Sequence, residues 1–206
     1  MPRLYLIIIL LMLIATITGD MLITDNLYYQ SYSGQMSQDM IMKLLDIQHK
    51  YDWVAYIISP LLVTIKMFFI AGLLYTGSIF TDSKIKFKQF WHIVMLSEFV
   101  TIAYIFIRQA LLYYHNFQTL EEIQGYIPLS AYSIIDKNSF PQYLAPLFSS
   151  LNLFELFYWV ALSMLLAPLL KASFTRSIGF VAKTYGTGLL LWITFITFLM
   201  IHLGMA

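Results

Sequence analysis

Five stretches of this chain are apolar for long enough to cross a hydrocarbon layer as helices, and that limits the possible fold more than any other feature. They run from about Leu4 to Ile23, Trp53 to Phe80, Trp91 to Tyr114, Phe148 to Leu170 and Ile178 to Ile201. About 20 mainly apolar residues suffice to cross the hydrocarbon core, and none of the five alternates as a barrel strand does. A helix satisfies its own backbone hydrogen bonds in lipid, where no water is on hand to do so. Of the 206 residues, 60% are apolar and 11% are charged, against about 25% charged in a soluble domain. One water-facing core cannot hide so much apolar surface. The sequence therefore predicts an all-α integral membrane bundle of five transmembrane helices, a single membrane domain over residues 1–206.

The first stretch begins Met1, Pro2, Arg3 and closes on Ala15 to Gly19, a layout shared with signal peptides. It has no clear small-x-small cleavage site, so an uncleaved anchor is expected. Basic residues resist translocation and accumulate on the cytoplasmic side. In a five-span arrangement Arg3, Lys84, Lys86, Lys88, Lys171 and Arg176 share one side, with Lys183 just inside a helix end, while the other side holds Lys43, Lys50 and Lys137 in longer segments. The N-terminus is thus predicted to be cytoplasmic and the C-terminus external, in the inner (plasma) membrane of a bacterium. Tyr28, Tyr29, Trp53, Tyr56, Tyr113 and Tyr114 fall near the outer boundary, as an aromatic belt does.

Two external segments follow from this topology, Asp20 to Asp52 and His115 to Leu147. In the first, Met36, Met40, Met42, Leu44, Leu45 and Ile47 predict a short amphipathic helix from about Ser37 to Lys50 lying at the interface. In the second, Pro128, Pro141 and Pro146 break the chain into short pieces, with one helical turn near Leu144.

Ionisable residues within spans carry the most information, since a charge near the bilayer centre costs at least about 2.5 kcal/mol on insertion scales. Lys66, Glu98, Arg108 and Glu155 are the four. At about 1.5 Å per residue, Arg108 and Glu155 both fall roughly 9 to 11 Å below the outer boundary. By the same rise, Lys66 lies roughly 9 Å deeper, and its stem reaches toward either carboxylate. Two cations and two anions on three helices can neutralise one another and fix helix order, or they can line a polar cavity. The cluster is a candidate site on either reading. Gly72 and Gly77, with Gly179, Gly186 and Gly188, allow close helix approach, and Pro60 and Pro168 can kink their helices. Lys84, Lys86 and Lys88 are candidate contacts to anionic lipid headgroups, worth about 1 kcal/mol per cation.

Catalytic chemistry is sparse. There is no Cys, which excludes disulfides, thiol nucleophiles and thiolate metal ligands. His49, His92, His115 and His202 are scattered, with no i, i+4 pair, so no metal and no cofactor are expected. Neither a Walker nor a dinucleotide glycine pattern occurs, so no nucleotide is expected on this chain, and a net charge of +1 suggests no nucleic acid. Spans two to five lack Asp, and Glu98 and Glu155 differ in predicted depth, against a catalytic carboxylate pair. A non-enzymatic protein is expected, with membrane lipids and other membrane subunits as partners.

The stretch Leu74-Tyr-Thr-Gly-Ser, then Lys86-Phe-Lys-Gln-Phe-Trp before the next apolar helix, resembles the internal loop of bacterial Yip1-domain membrane proteins. Leu151-Asn-Leu-Phe-Glu-Leu-Phe-Tyr-Trp, closing toward Leu169-Leu-Lys and Ser177-Ile-Gly-Phe, is similar to that family's Asn-bearing helix start and basic connector. The resemblance covers about Tyr51 to Ile201. It implies a multi-span scaffold or accessory subunit, since some bacterial relatives are linked to the assembly of ABC-type export systems and eukaryotic ones to vesicle trafficking and small GTPases. The family's cytoplasmic N-terminal region is replaced here by the first apolar stretch, and no catalytic residue is carried over.

Overall fold

The computed structural model describes residues 2–80, 85–115, 117–135 and 140–203, and these are helical apart from connections and one isolated bridge. The helices are α1 Pro2–Asp20, α2 Asp25–Tyr32, α3 Gln38–Ile79, α4 Phe87–Tyr114, α5 Leu120–Gln124, α6 Ala145–Ser150, α7 Leu153–Leu170, α8 Phe174–Val181 and α9 Thr187–His202. Short 3-10 turns cover Ala131–Ile134 and Gln142–Leu144, and a π-helical turn, Ala182–Gly186, joins α8 to α9. Among the described residues five helices are long and apolar enough to cross a membrane: α1, α3, α4, α7, and α8 through α9 as one run of 29 residues. The five-span reading therefore holds at the level of length and composition. Large apolar side chains stand exposed along these helices, among them Leu61, Leu62, Phe68, Phe69, Leu190 and Leu191. A helix apolar all round is what a lipid solvent requires.

Four expectations are corrected. The short helix expected from Ser37 to Lys50 is not separate, because α3 runs unbroken from Gln38 to Ile79 for 42 residues. The strong breakers lie before it, at Gly34, whereas nothing between Lys50 and Trp53 stops a helix, and Gln48 donates to Asp52 one turn on. The third helix starts at Phe87 rather than Trp91, and the fifth at Phe174 rather than Ile178. At the first of these starts the backbone N–H of Lys86 donates to Gln89 Oε1 at 3.0 Å, half of a capping box. At the second, Ser173 accepts from the Arg176 N–H. The fourth helix begins at Leu153, not Phe148, since Asn152 caps it by accepting from the Glu155 N–H at 2.7 Å. Residues 145–150 form the separate α6, and the turn expected near Leu144 is present as Gln142–Leu144.

The chain divides into two compact units. Of the described residues, one comprises those within 65–101 and 127–203 and the other those within 2–64 and 102–126, so that α3 is divided at Thr64 and Ile65 and α4 at Thr101 and Ile102.

In the first unit, Leu74, Phe90, Val94, Met95, Leu162, Leu166 and Val181 are fully buried. Its close approaches use glycine: a Cβ on Gly77 would strike Thr184, one on Gly188 would strike Leu73, and one on Gly186 would come within 2.6 Å of the Trp159 ring. Gly72 and Gly179 have open space instead. The break between α6 and α7 is sealed by backbone from upstream. The Ala131 N–H donates to Leu151 O at 2.8 Å, the Leu153 N–H donates to Leu129 O at 3.0 Å, and Ser130 bridges Asn152. Backbone groups freed by the break thereby find partners, which a helix interruption in an apolar setting demands. Leu129 takes a left-handed conformation, φ 59°, to make this crossing.

In the second unit, α2, α5 and the end of α4 pack through Leu27, Leu112, Leu120 and Ile123, with Leu22, Tyr28, Tyr32, Phe117 and Tyr126 around them. The segments predicted to be external are thus partly folded onto the end of α4.

Candidate functional site

Lys66 and Glu98 meet. Lys66 lies thirteen residues before the end of α3 at Ile79 and Glu98 eleven after the start of α4 at Phe87, so the two stand at similar heights from the connection between these helices. Lys66 Nζ donates to Glu98 Oε1 at 2.8 Å and to Thr101 Oγ1 at 3.1 Å. The same ammonium lies 5.3 Å from the centre of the Tyr158 ring, within cation–π range. Glu98 is wholly buried, while the Lys66 side chain is 39% exposed. The ion pair is therefore approached from the Lys66 side. Among the described residues, Glu98 Oε2 and Tyr158 Oη are buried without a hydrogen-bond partner.

Glu155 is satisfied differently. It stands in the first turn of α7, two residues after Leu153, about 3 Å along the helix axis, so the depth expected from a start at Phe148 is too great. A carboxylate there faces the positive end of the helix dipole. Its Oε1 accepts from Trp159 Nε1 at 2.8 Å and from Tyr185 Oη at 2.7 Å. Tyr185 belongs to the π-helical turn, and its ring lies 5.5 Å from that of Tyr158 and 5.9 Å from that of Trp159. A π turn inserts one residue into a helical turn and recurs at functional sites; here the turn carries the phenol to the Glu155 carboxylate. Glu98, Tyr158, Tyr185 and Glu155 thus belong to one polar core of this unit.

Arg108 belongs to the other unit and pairs with no carboxylate among the described residues. Its Nε donates to Tyr126 O and its Nη2 to Ile123 O, both at 2.8 Å. These carbonyls lie at and just beyond the end of α5, where a cation is favoured by the dipole. Of the four expected intramembrane ions, two form a salt bridge and two are held by neutral groups. Nearby, in the same unit, Met21, Leu22, Thr24, Asn26, Leu27, Gln30, Leu112, Tyr113, His115, Phe117 and Ile123 line a recess of about 390 Å³. The Tyr28 phenol in α2 is held above its usual pKa, chiefly by burial and then by the charge of Asp52, with smaller contributions from Asp20 and Asp25.

Of the headgroup candidates, Lys86 and Lys88 are exposed at the start of α4, and Lys84 lies outside the described residues. No group of three or more metal-ligating side chains occurs among the described residues. No protein-family model, curated protein or solved structure matches the chain.

Sequence reasoning missed Tyr158, Tyr185, Trp159 and Thr101. One signal was available: Asn152 followed three residues later by Glu155 is an N-cap pattern, and it places Glu155 and Trp159 one turn apart on a single helix face.

Proposed function

We propose that this chain is a non-enzymatic multi-pass protein of the bacterial inner membrane, N-terminus cytoplasmic and C-terminus external. In this reading it is related to the Yip1-domain proteins and acts as a scaffold or assembly subunit of a larger membrane complex, with an ABC-type exporter as the complex to test first. The observation that carries the reading is the length of α3. About 20 residues cross the hydrocarbon core, and α3 has 42. Its leading part bears Met40, Met42, Ile47 and Tyr51 exposed. Exposed apolar side chains on a segment beyond the length needed to cross lipid support a contact surface, which this reading assigns to protein. Isolation in mild detergent tests the reading: co-purification of further membrane subunits is expected, lost when Met40, Met42 and Ile47 are changed to Ser. Recovery of the chain alone from every mild detergent contradicts it.

A second reading, a small transporter or lipid-handling protein, is favoured by the buried polar core around Lys66 and Glu98. Lys66→Met separates the two readings. Loss of flux with an intact complex supports transport, whereas loss of co-purifying subunits supports the scaffold.

A further inference from the structure

The two unpartnered oxygens in the polar core point to a ligand. Glu98 is 0% exposed and Tyr158 2% exposed, yet Glu98 Oε2 and Tyr158 Oη have no hydrogen-bond partner among the described residues. Leaving such groups unpaired costs each its desolvation penalty, and buried polar atoms in folded proteins are nearly always paired. The other carboxylate oxygen is held by Lys66, whose ammonium also donates to Thr101, and among the described residues no donor reaches Oε2. Lys66 also sits 5.3 Å from the Tyr158 ring centre. The Glu98 carboxylate and the Tyr158 ring thus both lie beside one ammonium.

Charge decides the class of guest. Lys66 and Glu98 neutralise each other, so a second cation would leave net positive charge in a low-dielectric interior, and an anion would face the carboxylate oxygen. A neutral group that both donates and accepts meets neither penalty. A hydroxyl does this: its O–H donates to the carboxylate, and its oxygen accepts from the phenol, which is itself both donor and acceptor. Access is from the Lys66 side, where the side chain is 39% exposed against 0% for Glu98.

We infer that Glu98 Oε2 and Tyr158 Oη form a binding site for a single uncharged O–H group, supplied either by water or by the hydroxyl of a lipid headgroup reaching in past Lys66. The site is independent of the scaffold reading, since it calls for no partner subunit.

High-resolution structures of the intact protein test it, one in an amine-oxide detergent that carries no hydroxyl and one in nanodiscs of phosphatidylglycerol. A density peak within hydrogen-bond distance, about 3.2 Å or less, of both oxygens is expected. A compact peak in both media identifies water, and an elongated one present in the nanodisc alone identifies the lipid hydroxyl; either supports the site. An empty position in both, or a direct bond from Tyr158 or another side chain to Oε2, overturns it. Tyr158→Phe removes one partner with almost no change of volume, and the peak is expected to vanish or lose most of its occupancy. A peak of unchanged strength in that variant excludes Tyr158 from the site and overturns the assignment.

Discussion

Lys66 and Arg108 are both cations set in long apolar helices, and the two units treat them differently. In one, the Lys66 ammonium meets the buried carboxylate of Glu98, charge against charge, at 2.8 Å. In the other, the Arg108 guanidinium spans two backbone carbonyls, Ile123 O and Tyr126 O. The chemistry of the heads explains the division. An ammonium is a compact point charge suited to a single anion, whereas a planar guanidinium presents a fork that suits two acceptors side by side. A cation in an apolar helix thus need not imply an anion at the same depth. Dipoles at the end of a short helix serve as well, and they tie a loop down as they do so.

The sharpest way to break the comparison is to strand the ammonium. Glu98→Ala leaves Lys66 without its anion, and a loss of about 3 kcal/mol is expected, the low end for a broken buried pair because Lys66 is partly exposed. Unfolding in mixed micelles measures it. The double variant Lys66→Met with Glu98→Leu should recover most of that loss, because a buried pair replaced by apolar groups of similar volume is often close to neutral.

Arg108→Met is expected to have the next largest effect, about 2 kcal/mol for hydrogen bonds donated by a charged group. It should be local. Hydrogen exchange is expected to accelerate over residues 118–127, where Leu120 and Ile123 join the small core with Leu27 and Leu112, and to stay unchanged in α7. Faster exchange throughout α7 would show that Arg108 does more than fasten its own loop.

Asn152→Ala sharpens the comparison at its third ion. Loss of the cap should cost about 1 kcal/mol and loosen the first turn of α7, where Glu155 accepts from Trp159 and Tyr185. Tryptophan fluorescence near Trp159 is expected to shift, while the unfolding of a variant at Asn26, an exposed polar residue of α2, should match that of the unaltered chain.

The five long helices were legible because their signal is a sum over about 20 residues apiece, which no single side chain can upset. Their ends were less so. Phe148 reads as the start of the fourth span because it is apolar, yet the helix starts where Asn152 can cap it, and a cap is one side chain against a background of hydropathy. The joining of residues 38–50 to the second span was obscured because the polar residues among them read as the end of a membrane-crossing stretch, whereas α3 continues through them. The Lys66–Glu98 pair was obscured by the late start read for the third span at Trp91; from the start at Phe87 the two residues stand at similar heights from the α3–α4 connection. The partners of Arg108 were out of reach, because its acceptors are carbonyls of a loop whose path the sequence does not spell out. Tyr185 was hidden too, since a π turn shifts the helical register and with it the face that the residue occupies.

The account depends most on lipid, not water, surrounding the long helices, and labelling of single cysteines tests that directly in a chain with no Cys of its own. Ser33, Lys88, Gln118 and Thr175 are all exposed at or beyond helix ends. With a membrane-impermeant maleimide on intact cells, Ser33→Cys and Gln118→Cys should react at once, and Lys88→Cys and Thr175→Cys only after lysis. Equal reaction at all four positions, or the opposite pattern, contradicts the account.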